Sequence, residues 1–142
     1  MIPANEGSDI RWQQRLTNFE RALRLLREAM AEGPEALNQL EKEGVSQRFE
    51  YCFELAWKTV KDYMETSGVV FDVVMPRQVI KEAFAAKVLN DGATWIAMLD
   101  HRNLLSHTYN PAVFEEAVEA IHQRYLPQLE QLHTFLQQEA VG

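Results

Sequence analysis

The stretch from Trp95 to Pro111, WIAMLDHRNLLSHTYNP, gathers the residue types that handle phosphate. Arginine grips phosphate oxygens with two parallel N–H donors and stabilises charge that develops on them. Histidine exchanges a proton near neutral pH. Arg102 and His107 supply both functions, and Asn103 and Ser106 add polar groups able to orient them. Such a set suits cleavage of RNA without a metal, with the ribose 2′-hydroxyl as nucleophile and a cyclic phosphate at the new end. The same residues allow a plainer reading. Trp95, Met98, Arg102, Leu105 and Tyr109 follow steps of 3, 4, 3 and 4, so Arg102 lies on an apolar seam. A charge there needs a hydrogen-bonded partner, and Glu50 or Glu54 would serve, leaving His107 to close the helix end. Spacing leaves both readings open. Arg102 and His107 stand about 140° apart on an ideal helix. They converge only if the helix ends near Ser106 and His107 swings out, or if both face one shared groove.

These side chains must be held by helices. Trp12, Leu16, Phe19, Leu23, Leu26 and Met30 recur at steps of 4, 3, 4, 3 and 4, which predicts an amphipathic helix from Ile10 to about Ala31, ended by Gly33-Pro34. A second helix is expected from Ser46, as N-cap, to Ser67, with Gly68 as its stop and a short helical stretch before it at 35–42. It carries an apolar stripe through Phe49, Cys52, Phe53, Ala56, Val60 and Met64, with Tyr51, Leu55 and Trp57 outside the stripe. A helix apolar on that many sides sits centrally in a bundle or also faces a second subunit. Residues 69–74, VVFDVV, lack a pairing partner and read as a loop. Pro76 opens a third helix to about Leu89, and a fourth runs from about Ala93 to Ser106. Asn110-Pro111 restarts the chain as N-cap and first helical residue. The last helix turns Phe114, Val118, Ile121, Tyr125, Leu129, Leu132 and Leu136 inward, with a kink expected at Pro127. The fold class is therefore all-α, an antiparallel up-down bundle of four or five helices. Residues 1–8 are expected to be a flexible tail and 9–142 a single domain.

Composition narrows the function. Apolar residues make up 46% and charged residues 25%, the balance of a folded globular chain of 142 residues. Eleven glycines and prolines are too few for a β-sandwich or barrel. The single cysteine, Cys52, excludes an internal disulfide framework and a cysteine-rich zinc site, and predicts a reducing, cytoplasmic setting. No apolar run approaches a membrane span, and the start of the chain lacks a signal-peptide core. The net charge of −7 argues against tight, non-specific binding of duplex DNA. Arg11, Arg15, Arg21, Arg24 and Arg27 crowd one early segment, whereas Arg124 is the lone cation after Arg102, so the field is polarised. Arg77, Lys81, Lys58 and Lys61 are the candidates for a basic cluster near the motif. His101 is read as a surface residue. His122 and His133, eleven residues apart, are too distant to share a metal. No metal site and no cofactor are expected, and the chain has neither a glycine-rich phosphate loop nor the paired aspartates of a nucleotidyltransferase.

Arg102, His107 and Tyr109 in RNLLSHTY match the signature of HEPN domains: an arginine, four residues, a histidine, any residue, a tyrosine. Asn103 holds the polar position that often follows the arginine. QRFEYCFELAWKTVKDY (47–63), MPRQVIKEAFAAKVLNDG (75–92) and WIAMLDHRNLLSHTYN (95–110) resemble, in order, one HEPN branch, the nucleotidyltransferase substrate-binding-protein family. The resemblance covers about residues 10–135. It implies a helical bundle that forms a homodimer through the bundle and pairs with a minimal nucleotidyltransferase. It also implies one of two activities. The first is a toxin-like, metal-independent endoribonuclease of a toxin–antitoxin pair, with Arg102 and His107 catalytic, Asn103 and Ser106 supporting, and Tyr109 silenced by AMP transferred from the partner. The alternative is a non-catalytic subunit that presents substrate to that nucleotidyltransferase.

Overall fold

The computed structural model describes residues 6–142, and every regular element in it is helical. Helix α1 spans Glu6–Ala29 and buries the expected row of Trp12, Leu16, Phe19, Leu23 and Leu26. It begins before Ile10, so residues 6–8 are helical rather than tail, and the remainder of the expected tail lies outside the described residues. Gly33, at a φ of 87°, turns the chain into a single 3-10 turn at Pro34–Ala36.

Helix α2 runs Gln39–Thr66, starting well before Ser46. The cap is Asn38. Its side-chain oxygen accepts from the Glu41 N–H at 2.8 Å, and the Glu41 carboxylate accepts from the Asn38 N–H at 2.9 Å. This reciprocal box satisfies two orphan donors at once. Ser46 is buried inside the helix instead, donating its hydroxyl to the Lys42 carbonyl at 2.9 Å. The separate stretch expected at 35–42 is thus absorbed, partly by the 3-10 turn and partly by α2. Gly68, at a φ of 100°, ends α2 while the Val69 N–H reaches back to the Met64 carbonyl at 3.0 Å.

Residues 69–74 form the expected loop, with Phe71 folded into the core. Helix α3, Pro76–Ala85, stops short of Leu89. Lys87 adopts the left-handed φ of 64°, and the Val88 N–H closes onto the Ala83 carbonyl at 2.9 Å. Helix α4 spans Gly92–His107 under an Asp91 cap that accepts from the Thr94 N–H at 3.1 Å. Helix α5, Pro111–Ala120, carries the expected Asn110 cap, which accepts from the Ala112 N–H at 2.9 Å. A π turn at Ile121–Tyr125 joins it to helix α6, Leu126–Val141. Proline lacks an N–H and crowds the carbonyl four residues before it. One residue looped into the ladder ahead of Pro127 removes that conflict, and this is the form the expected kink takes.

Side-chain meetings fix the helix directions. Trp12 packs edge-on against Tyr63, and Arg48 donates to the Leu25 carbonyl, so α1 and α2 are antiparallel. Glu54 meets Arg102 and Glu43 meets Tyr109, so α2 and α4 are antiparallel too. Phe49 stacks on Tyr125 at 5.4 Å, and Tyr63 packs on Phe135, placing the last rod alongside α2. Helix α2 touches α1, α3, α4 and α5, which is why its apolar surface is so broad. Phe49, Cys52, Phe53, Ala56 and Val60 are buried, and Trp57 joins them, whereas Tyr51 stays exposed. The left-handed Lys87 is a position suited to glycine. Lys87→Gly is expected to raise stability by about 1 kcal/mol, read as a higher midpoint in thermal or urea unfolding.

Candidate active site

Helix α4 presents two faces. Trp95, Met98, Leu99 and Leu105 are buried, while Asn103, Ser106 and His107 are exposed. Arg102 falls between them with 27% of its side chain exposed. Its guanidinium is bonded to Glu54 of α2 and also donates to the Asn103 side-chain oxygen at 3.2 Å. Glu54 in turn accepts from the Trp57 indole N–H and from Lys58, each at 3.1 Å. Burial pushes the Glu54 carboxyl up, but the hydrogen bonds from Trp57 and Lys58 and the charge of Arg102 outweigh it and hold the group below the ordinary carboxylate range.

Two further glutamates of α2 grip the same end of α4. Ser106 donates to Glu50 at 3.1 Å and lies 3.0 Å from the Arg102 carbonyl. Tyr109, 79% exposed, donates its phenol proton to Glu43 at 2.7 Å and sets its ring edge against Phe114. The hydrogen bond and charge of Glu43 raise the Tyr109 phenol above its ordinary value. Glu43, Glu50 and Glu54 are seven and four residues apart and share one face of α2. Glu50 and Glu54 are the partners foreseen for Arg102, and Glu43 is the one that sequence reading missed. Its signal was there as an acidic row at helical spacing.

His107 is the last residue of α4 and is exposed, with no hydrogen bond among the described residues. The helix continues through it, so the ring does not swing out of helical register toward Arg102. His107 is not among the residues that line the groove on which Arg102 opens. Ser106 bonds a backbone carbonyl and Glu50 and orients neither of them directly.

Arg102 and Asn103 do line a groove of about 450 Å³ between α3 and α4, together with Arg77 and Lys81. Arg77 also pairs with Asp100 at 2.9 Å. Of the four basic candidates, these two join Arg102. Lys58 shares Glu54 with it, and Lys61 pairs elsewhere, with Asp62 and Glu65. Met75 caps α3 without a side-chain hydrogen bond, which leaves the first turn of that helix open beside the groove.

A family model described as "Nucleotidyltransferase substrate binding protein like" matches residues 14–138. The chain belongs to this family. It is similar to the "Probable ribonuclease HepT" of Haemophilus influenzae, 30% identical over 70 residues. That match covers 47% of this chain and 48% of the relative, so it spans about half the length of the curated protein. The crystal structure of a Thermus thermophilus protein is also similar, with a TM-score of 0.67 and 29% identity over 86% of this chain and 98% of that one. The HEPN-type bundle is thus the fold of the family member described here.

In this family member Cys52 and Trp95 fall in the core, as expected. Burial in the core pushes the Cys52 thiol up, so it stays protonated. Trp95 is a core anchor. Among the described residues no three His, Cys, Asp or Glu side chains gather in a way that could hold a metal ion, and no helix is long and apolar enough to cross a membrane. His101 departs from the surface reading. It is half-buried, its Nδ1 lies 2.5 Å from the Tyr125 hydroxyl, and burial lowers its pKa from the ordinary histidine value. The π turn brings Tyr125 to it, which local spacing on α4 does not reveal. The contact ties α4 to the last rod at the residue beside Arg102. Tyr125→Phe is expected to lose about 1 kcal/mol of stability in urea unfolding, since a half-buried imidazole nitrogen loses its partner. A second expectation concerns Glu54. Its folded pKa is lowered, so its contribution is present above the ordinary carboxylate pKa and is lost as pH falls through the folded value. The difference in melting temperature between wild type and Glu54→Gln should therefore shrink as pH is taken from 7 to below about 4.

Proposed function

We propose that this protein is a metal-independent endoribonuclease, the toxin-like component of a pair with a minimal nucleotidyltransferase. The observation that carries the reading is the exposed end of α4, where Arg102 opens onto a cationic groove and His107 and Tyr109 face solvent. Membership of the substrate-binding family and the similarity to a probable ribonuclease support it. In the proposed reaction the ribose 2′-oxygen bonds to phosphorus and the 5′-oxygen leaves, giving a 2′,3′-cyclic phosphate and a free 5′-hydroxyl. Arg102 stabilises charge on the phosphate oxygens, and His107 moves a proton to or from the reacting oxygens. Because one chain keeps Arg102 and His107 on different sides of α4, the reading calls for a homodimer in which two motifs form one cleft. The setting proposed is cytoplasmic, and no cofactor is invoked.

The proposed silencing is modification of Tyr109 by the partner. The Tyr109 oxygen would bond to the α-phosphorus of ATP held by the partner, pyrophosphate would leave, and the phenol proton would pass to Glu43, which already accepts it. An AMP group there adds bulk and charge at the mouth of the cleft.

A non-catalytic, substrate-presenting subunit is the second reading. It is favoured by Glu54, which already occupies the Arg102 guanidinium, and by the acidic row beside it.

The deciding experiment is incubation of a mixed RNA pool with the purified, unmodified protein in excess EDTA, beside His107→Ala. Cleavage by wild type that leaves cyclic phosphate ends and falls by about a hundredfold or more in the variant is expected. A folded wild type that leaves the RNA intact but forms a stable complex with the nucleotidyltransferase would favour the second reading.

A further inference from the structure

The groove between α3 and α4 reaches beyond the motif itself. Its cationic side is built from Arg77 and Lys81 of α3 and Arg102 of α4, and none of its lining residues is acidic. Lys81 is exposed and forms no ion pair among the described residues. Arg77 and Asp100 are 48% and 62% exposed, so their pairing is weak and easily exchanged for a phosphate. Apolar lining comes from Val73 and Met75, exposed at 51% and 58%, and from the buried Leu99. Asn103 adds an amide with both a donor and an acceptor.

Three cations alone would take any anion. The apolar wall and the amide ask for a planar, hydrogen-bonding group attached to that anion, which is the constitution of a nucleotide. The volume of about 450 Å³ is that of a small-ligand site and has no room for a duplex. Bases of single-stranded RNA are available to such a pocket because they are not held in a helix.

We infer that this groove seats one nucleotide unit of a single-stranded RNA beside the motif, with its phosphate on Arg77, Lys81 and Arg102 and its base against Val73, Met75 and Leu99. The assignment rests on the reading of the motif as an RNA site and names the neighbouring subsite. Strand binding gives Arg102 an alternative to Glu54, since phosphate arriving on Arg77 and Lys81 competes with the carboxylate for the same guanidinium.

Fluorescence anisotropy with a short labelled single-stranded RNA tests this, using the full chain with His107→Ala so that the probe stays intact. Lys81→Gln and Met75→Asp are each expected to weaken binding about fivefold or more. Lys81→Gln should also reduce the slope of log affinity against log salt by roughly 0.7. Met75→Asp gives α3 a capping carboxylate, so it is not expected to act by unfolding. Arg21→Gln, which removes a charge from α1, should leave binding unchanged. Unaltered RNA affinity in both groove variants overturns the assignment, as does absence of RNA binding altogether. Saturable binding of free AMP without affinity for the strand overturns it in favour of a mononucleotide pocket. A change in molecular mass by light scattering for Met75→Asp, with RNA affinity kept, overturns it in favour of a subunit contact. Wild-type cleavage in EDTA separates this inference from the parent reading. Cleavage with groove variants indistinguishable from wild type leaves the ribonuclease reading standing and removes the subsite. No cleavage, with RNA affinity lost in the groove variants, keeps the subsite and removes the ribonuclease.

Discussion

An arginine on an apolar helical row must find a counter-charge, and that requirement organises this bundle. Leu99, Leu105, Met98 and Trp95 carry α4 into the core, so Arg102, on the same helix, is drawn partly out of water. Glu54 answers it from α2, and Trp57 and Lys58 satisfy the rest of that carboxylate. A half-buried ion pair that lost one member would leave an uncompensated charge. The pair therefore fixes the register of α2 against α4, and Glu50 and Glu43 fall opposite Ser106 and Tyr109 as a consequence. Shifting α4 by one residue would turn Arg102 about 100° away from its partner.

The same contact sets the electrical character of the site. The side of α4 that faces α2 is lined with carboxylates, and the side that faces α3 is lined with Arg77 and Lys81. Arg102 stands at the boundary. A phosphate approaching from α3 meets cations first and reaches Arg102 without crossing the acidic row. A chain with a net charge of −7 can in this way present one local cationic groove while its bulk field repels polyanions elsewhere. The π turn contributes from behind. By easing the chain past Pro127, it delivers Tyr125 to His101 and braces α4 one residue away from the arginine.

Much of this was legible in the sequence. The 3-4 periodicity of α1, the stripe of α2 and the Asn110-Pro111 restart each report a local preference that the fold obeys, because helices bury whichever face is apolar. The misread boundaries also have local causes. Ser46 carries a good capping side chain, but Asn38 and Glu41 satisfy two backbone donors together and extend the helix past it. Lys87 ends α3 early in a conformation that its side chain does not favour, so composition gave no warning.

For the motif the division is sharper. Sequence alone determined which residues can do chemistry, that Arg102 needs a carboxylate, and the family to which the chain belongs, since residue type, helical spacing and ordered blocks are properties of the chain itself. Tertiary structure decided which carboxylate Arg102 takes, that Arg77 and Lys81 join it while Lys61 does not, and that His101 turns inward to Tyr125. These are distances between helices. They are set by how side chains from remote segments pack around α2, and no spacing along a single helix encodes them.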